Sequence, residues 1–331
     1  MPLKYNRKTS GLTLIELLIT MGISVFLLLG IFYLLFNLAN TTLVTTNLSS
    51  YQESGRFAIS HIARKIRQAG LFGNLGDISN ISPTIPDPIE NPTLAEVFDC
   101  RKSSSSEQDW ASQLSSPVYG YDHTLANIGS TLECISSIEG SDILILRMSS
   151  ETATAPASLE NNKDYLYSNL TIGSLFRKGV DSAPTALTDA EYWEVSTKIL
   201  FIKNNPAGTP ALYQYDSSAA SEEQIIDGVE SMQVSYGMRS CSGEFVESYV
   251  TSPGFHDESW DKVSTIQVDL LVRSLSPNGY YAKNNSCLDN ANTYTIGNYT
   301  YTPADTTPNC YYRRVFTTII QLRNSEVPPC A

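Results

Sequence analysis

"KTSGLTLIELLITMGISVFLLLG", Lys8 to Gly30, places one carboxylate, Glu16, at the head of an apolar run. The run from Leu17 to Phe36 carries no charge, with Thr20 and Ser24 as its small polar side chains. It meets the roughly 20 residues a helix needs to cross a bilayer. Lys4, Arg7 and Lys8 stand ahead of it, so the positive-inside rule puts the N-terminus in the cytoplasm and the bulk of the chain outside. A secretory signal ordinarily has an apolar region of about 7–15 residues followed by an A-x-A-like cleavage site. Here the run is longer, and the small-residue pair nearest the charges, Ser10-Gly11, lies before it, so a leader ending at Gly11 leaves the whole span on the mature chain. A charge deep in a bilayer costs about 3 kcal/mol. Glu16 therefore needs a partner, unless it merely reaches headgroup water.

The chain of 331 residues is 42% hydrophobic, enough for a sizeable core plus the span. Its 34 acidic against 22 basic residues give a formal charge of −12, which argues against nucleic acid as a direct partner. Loss of the leader removes Lys4, Arg7 and Lys8 and no acid, making the mature chain more acidic still. Six cysteines all follow the span in a region rich in Ser, Thr, Asn and Tyr, an exported and oxidising profile. They allow 15 pairings, among which sequence does not choose. Proximity favours Cys287 with Cys310 around the "NANTYTIGNYTYTP" insertion, and Cys100 with Cys134, leaving Cys241 with Cys330. No C-x-x-C spacing occurs, so metal binding by these cysteines is not expected.

Beyond the span, Leu48, Tyr51, Gly55, Ala58, Ile62, Ile66 and Ala69 recur at spacings of three and four, which predicts that the helix continues with one apolar face. No proline interrupts Leu12 to Gly70, and glycines 70, 73 and 76 supply the stop. At 1.5 Å per residue the helix is on the order of 90 Å long. The expected organisation is a leader at 1–11 and a helix at 12–72, membrane-spanning over about 14–36 and amphipathic over about 40–70. A loop-rich lobe at 73–190 and an antiparallel sheet region at 191–331 follow. The lobe is inferred from "SPTIPDPIENP", serines 103 to 106 and "SSETATAPAS". Strands are expected at 142–148, 192–202, 211–215, 231–238, 264–274 and 312–323. In "STIQVDLLVRS", Ile266, Val268, Leu270 and Val272 alternate with Gln267, Asp269 and Arg273, as a half-buried strand requires. A sheet with one apolar face needs a cover, and the helix over 40–70 offers one. The fold class is α+β, a long helix packed on an antiparallel sheet.

Catalytic signatures are missing from the chain. His61, His123 and His256 have no motif partners, and there is no G-x-S-x-G, H-E-x-x-H, Walker A or G-x-G-x-x-G sequence. "HDESWD" (256–261) and "CLDNANTYT" (287–295) carry oxygen ligands without the spacing of a calcium hand, so each is read as a polar loop, with Trp260 anchoring the next strand. No enzyme activity, metal or cofactor is expected. Arg56, Arg64, Lys65 and Arg67 form a basic helix face, which either meets acidic neighbours or is simply solvated.

The basic leader, Gly11, an aliphatic residue, "TLIELL" and the long apolar run resemble the signal of type IV pilins and pseudopilins. The resemblance implies cleavage between Gly11 and Leu12 by prepilin peptidase, N-methylation of Leu12, and a fold with the helix packed on the sheet. It also implies that Glu16, the fifth mature residue, meets the Leu12 amine of a neighbouring subunit during assembly. Leu12 stands where the family usually has Phe. The segments "IIDGVESMQVSYGM", "WDKVSTIQVDLLVRS" and "YYRRVFTTIIQLRN" are similar to the PilW family of minor pilins. The implied function is assembly of a type IV pilus, priming or capping the fibre, for twitching, adhesion or DNA uptake. The implied partners are other minor pilins, the major pilin, prepilin peptidase and the inner-membrane assembly platform. The implied location is a single-pass inner-membrane protein with a periplasmic domain, later part of the fibre. The alternatives are a J-type pseudopilin at the tip of a type II secretion pseudopilus, or a tip adhesin gripping its target with Tyr-rich loops.

Overall fold

A computed structural model of the chain describes residues 11, 13–76, 80–82, 117–122, 135–239, 246–251, 260–277, 282–283, 286–287, 292–303, 305 and 310–324. One long helix, α1 (Leu14–Gln68), comes first. The strands follow as β1 (Ile81–Ser82), β2 (Val118–Tyr121), β3 (Ile143–Ser149), β4 (Asp164–Ser168), β5 (Gly173–Arg177), β6 (Glu191–Asn204), β7 (Pro210–Asp216) and β8 (Ser221–Asp227). After these come β9 (Val229–Arg239), β10 (Val246–Val250), β11 (Val263–Arg273), β12 (Ala282–Lys283), β13 (Ser286–Cys287), β14 (Tyr294–Ile296), β15 (Tyr299–Tyr301) and β16 (Arg313–Gln321). The order of helix then sheet is the α+β arrangement expected from sequence. Contacts divide the chain into two units, Met1–Ser49 and Ser50–Ala331.

In the first unit, Leu14–Ala39 forms a 26-residue apolar helical stretch of mean hydropathy 2.5, long enough to cross a membrane. Its polar side chains bond inward: Thr20 Oγ1 donates to the Leu17 carbonyl at 2.9 Å and Ser24 Oγ to the Met21 carbonyl at 2.9 Å. Such bonding removes the cost of an unpaired hydroxyl in hydrocarbon.

In the second unit, α1 buries Tyr51, Ser54, Gly55, Ala58, Ile62, Ala63, Ile66 and Ala69. The face follows the predicted three-and-four spacing. Ile62 and Ile66 are fully covered, and burying a side chain of that size contributes about 1.5–3 kcal/mol. The helix crosses close to β16: a Cβ on Gly55 would stand 2.4 Å from the Phe316 ring, so only glycine fits there. The helix ends at Gly70, whose φ of 77° is the left-handed conformation that glycine adopts without a Cβ penalty. Its N–H donates to the Arg147 carbonyl of β3 at 2.9 Å. Asn324 Nδ2 donates to the Arg67 and Ala69 carbonyls at 3.2 Å, satisfying acceptors that a helix end leaves open.

Among the described residues two large sheets are joined by two two-stranded ladders, β12–β13 and β14–β15. The smaller runs β10-β9-β11-β16, antiparallel throughout, with Leu270 of β11 opposite Met232 of β9 and Phe316 of β16. Ile266, Val268, Leu270 and Val272 lie on one face, each fully buried, as their alternation predicts. The larger sheet has eight strands in the order β1-β5-β4-β6-β3-β2, with β7 and β8 continuing from β6. Strand β6 is its spine, pairing with β4 over Glu191–Val195, with β3 over Val195–Leu200 and with β7 over Lys198–Asn204. All pairings in this sheet are antiparallel except β1 with β5. The boundary placed at 190/191 from sequence therefore falls inside one sheet, and the segment expected to be loop-rich supplies β1 to β5.

The chain leading into β3 ties the sheets together. Asp142 N–H donates to the Met232 carbonyl at 2.8 Å, Asp142 Oδ2 accepts the Val234 N–H at 2.8 Å, and Gln233 Nε2 donates to the Gly140 carbonyl at 2.9 Å. Trp260 stacks on Tyr119 with ring centroids 4.4 Å apart and meets Tyr236 edge-on at 4.9 Å, anchoring the start of β11 to the larger sheet.

Candidate assembly site

The first turn of α1 sets the geometry around Glu16. Glu16 Oε2 accepts the Thr13 N–H at 3.0 Å and the Thr13 hydroxyl at 2.9 Å, while Thr13 Oγ1 accepts the Glu16 N–H at 3.4 Å. Thr13-x-x-Glu16 is thus a capping box, in which two donors at the helix start are satisfied reciprocally. The carboxylate also stands at the positive end of the helix dipole. Glu16, which the sequence presents as a charge in need of a partner, has one within its own first turn. The signature is legible in the sequence as T-x-x-E, Thr13 to Glu16. Around the exposed Gly11, a Cβ would meet nothing within 4 Å. Leu12, assigned to cleavage and methylation, lies outside the described residues, as do the leader cations.

The remaining sequence-derived residues fall in separate places. Cys287 and Cys310 are joined, with Cα atoms 5.3 Å apart. Cys100, Cys134, Cys241 and Cys330 lie outside the described residues, as do His123 and His256. His61 is half-buried against β7, its Nε2 3.1 Å from Gln214 Oε1. Arg56, Arg64 and Arg67 of the basic face are exposed, whereas Lys65 is partly covered, and burial together with Lys198 holds its pKa below the usual lysine range.

One cluster had no sequence signal, because its members come from four segments. Arg313 Nε donates to Glu230 Oε2 at 2.5 Å and its Nη2 to Glu230 Oε1 at 2.9 Å. On its other side, Nη1 and Nη2 donate to Asp305 at 2.8 Å each. Arg273 Nη1 reaches Glu230 at 3.3 Å, and its guanidinium lies 4.0 Å over the Tyr311 ring. Burial, followed by Glu230, pushes the Tyr301 hydroxyl up to about 12.

The family model for the type IV pilus-assembly protein W matches residues 199–324, from within β6 to the Asn324 that caps α1. The model for the prokaryotic N-terminal methylation motif matches residues 6–32, which contain Gly11 and the capping box. Residues 199–324 thus carry a PilW domain, behind a prepilin-type methylation motif at residues 6–32. Comparison with curated proteins and with solved structures finds no significant match. A chain with this domain and this motif is a type IV pilus assembly protein, membrane-anchored through its apolar N-terminal helix. The PilW match holds the whole smaller sheet and the Glu230–Arg313–Asp305 cluster, while the methylation match holds the N-terminal end of α1.

Proposed function

We propose that this chain is a non-enzymatic minor pilin that primes or caps a type IV pilus. Its N-terminus is cytoplasmic and its β domain periplasmic before assembly. Prepilin peptidase cuts after Gly11 and Leu12 is methylated. The observation carrying this reading is the uncovered apolar stretch Leu14–Ala39 with a single carboxylate held at its N-terminal cap. A helix apolar on all sides needs either lipid or other helices around it. The type IV pilus offers both in turn, the bilayer first and then neighbouring pilin helices. Glu16 uses one oxygen for Thr13, and an ionised carboxylate has lone pairs to spare, so a neighbour's Leu12 amine can join the cap. Other minor pilins, the major pilin and the assembly platform are the partners.

Glu16→Gln isolates the charge, because Gln at the same position preserves a capping box. We expect normal abundance, normal leader cleavage and several-fold fewer surface pili. Wild-type piliation at normal abundance defeats the pairing role. Gly11→Phe should leave the precursor uncut, which mass spectrometry of the membrane fraction reads directly; a mature N-terminus at Leu12 in that variant rejects the cleavage site. A deletion strain with normal pili and failed protein secretion assigns the chain to a type II pseudopilus instead.

A further inference from the structure

A strand at the edge of a sheet presents main-chain donors and acceptors without a ladder partner, a template for another chain. Natural proteins blunt such edges by shortness, bulges or charge. Among the described residues every edge strand but one is blunted. In the larger sheet β1 has two residues and β2 four, while β8 carries the exposed Glu222 and Glu223 and a register shift opposite Leu212 and Tyr213. In the smaller sheet β10 has five residues, an exposed Glu247 and a register shift between Val246 and Ser248. The strands of the two ladders have two or three residues each.

The exception is β16. Its nine residues pair with β11 from Thr265 to Arg273 without a shift, and among the described residues no strand pairs with its other side. "RRVFTTIIQ" contains no proline, glycine or acidic residue, and Val315, Thr317, Thr318, Ile319 and Ile320 are β-branched, which suits an extended backbone. Phe316 meets α1 at Gly55, so by alternation Thr317, Ile319 and Gln321 lie on the opposite face. All three are exposed, Ile319 at 56%.

The charge along this edge is basic. Arg314 is exposed on β16, Arg323 is exposed just past its end, and Arg56 is exposed on α1 beside Gly55. Arg313 is buried and held by Glu230 and Asp305, so it takes no part. Glu53, on the same turn of α1 as Arg56, is an exposed carboxylate. Three cations against one carboxylate select an acidic partner and disfavour a basic one. The chain's own acidic edge, β8, has seven residues and is interrupted by its register shift, so a second copy supplies no straight match for β16.

We propose that the outer edge of β16 is a strand-addition site that takes an extended acidic segment of another protein, lengthening the smaller sheet by one strand. Main-chain hydrogen bonds supply the affinity, Ile319 an apolar contact, and the arginines the choice of partner.

The test uses full-length protein in a neutral detergent and synthetic peptides matched in length to the nine residues of β16, with valine alternating with either glutamate or lysine. Fluorescence anisotropy reads the affinity, and amide exchange reads where the peptide lies. We expect saturable binding of the glutamate peptide with slowed exchange in β16, and at least about tenfold weaker binding of the lysine peptide. A central proline in the glutamate peptide should weaken it at least about tenfold, because proline cannot donate to a ladder. Arg314→Glu and Ile319→Glu, both at exposed positions, should each weaken the glutamate peptide several-fold without lowering the unfolding temperature, while Glu247→Lys on β10 leaves binding unchanged. The proposal is overturned if the glutamate peptide does not saturate, if the lysine or proline peptide binds as tightly, if the protection falls on β8 or β10, or if neither glutamate variant changes the affinity. It is also overturned, in favour of a second copy, if the chain without peptide dimerises in light scattering and Ile319→Glu abolishes the dimer.

Discussion

The large apolar side chains of α1 from Leu14 to Leu38 are 51–80% exposed, whereas Ala58, Ile62 and Ile66, one stretch further along the same helix, are at 0%. The two stretches are both apolar and continuous, and they differ in pattern. The first is apolar all round, which no single sheet face can cover; the second confines its apolar residues to one stripe, with Arg56, Arg64 and Arg67 on the outside. A stripe is matched by the smaller sheet near Phe316 and by Gln214 of β7, while an all-round surface waits for partners outside the chain. Hydrophobic content alone therefore does not say what a helix buries against. Its angular distribution does.

The sharpest way to break this contrast is one substitution made in both stretches. Ile62→Ala removes a fully buried side chain and should destabilise the domain by about 2–4 kcal/mol. Ile23→Ala removes one that is 55% exposed and should change domain stability by no more than about 0.5 kcal/mol. Thermal unfolding of both proteins in the same detergent, followed by tryptophan fluorescence, compares them. Equal losses would mean that the first stretch is also packed by its own chain.

Next in size is Gly55→Val. Its Cβ would arrive 2.4 Å from the Phe316 ring, so ring or helix has to move, at about 1–3 kcal/mol. Gly22 and Gly30 in the first stretch have nothing within 4 Å of an added Cβ, so Gly30→Val should leave the unfolding curve of the domain unchanged. A Gly55→Val protein as stable as the parent removes the close crossing of α1 over β16 from the account.

How much of this was legible follows from the same patterns. The docking stripe from Tyr51 to Ala69 was readable because burial on one side imprints a period, and β11 because Gln267, Asp269 and Arg273 alternate with its apolar residues, although Asp269 and Leu271 are buried too. Strands β2, β4 and β5 were not, because "VYGY" and "DYLYS" are buried on both faces and "GSLFR" nearly so, leaving no alternation to detect. Strand β8, "SEEQIID", failed for the opposite reason: its first four residues are exposed, and a polar edge strand reads as a loop. At the N-terminal end of α1 Glu16 stands out as a charge in an apolar run, whereas Thr13 is one of several small polar residues and carries no signal of its own outside the T-x-x-E spacing. The buried ion-pair cluster left no trace, since Glu230, Arg273, Asp305 and Arg313 meet only after β9, β11 and β16 have paired.

A smaller effect probes the end of the docked stretch. Asn324→Ala removes the two 3.2 Å bonds to the Arg67 and Ala69 carbonyls at an exposed position. The expected loss is about 0.5–1 kcal/mol. Amide exchange should quicken over Ile66–Gly70 and stay unchanged over Leu14–Ala39. Exchange that rises along the whole helix would show the end of α1 to control both stretches.

The smallest effect is a pH dependence confined to the docked stretch. From Leu17 to Ala39 no side chain titrates between pH 5 and 7, whereas His61 is enclosed by α1 and β7. Burial holds its pKa below the ordinary 6.5; Gln214 and Glu223 oppose this, and Lys65 and Arg64 add to it. The neutral ring with its proton on Nε2 donates to Gln214 Oε1 at 3.1 Å and accepts from Arg64 at Nδ1 at 3.5 Å, so both ring nitrogens are used. Protonating Nδ1 loses the second contact and sets a cation beside two others. Because the folded-state pKa is depressed, the unfolded chain binds the proton more readily, and stability rises with pH. The contribution is complete above about pH 6.5 and is lost as pH falls through the lower folded pKa. His61→Gln should therefore flatten part of the decline in unfolding temperature between pH 7 and 5, and the difference between the two proteins removes the share of His123, His256 and the carboxylates. An imidazole NMR titration that places His61 at or above 6.5 in the folded protein would reverse the sign and show that α1 and β7 do not close over the ring.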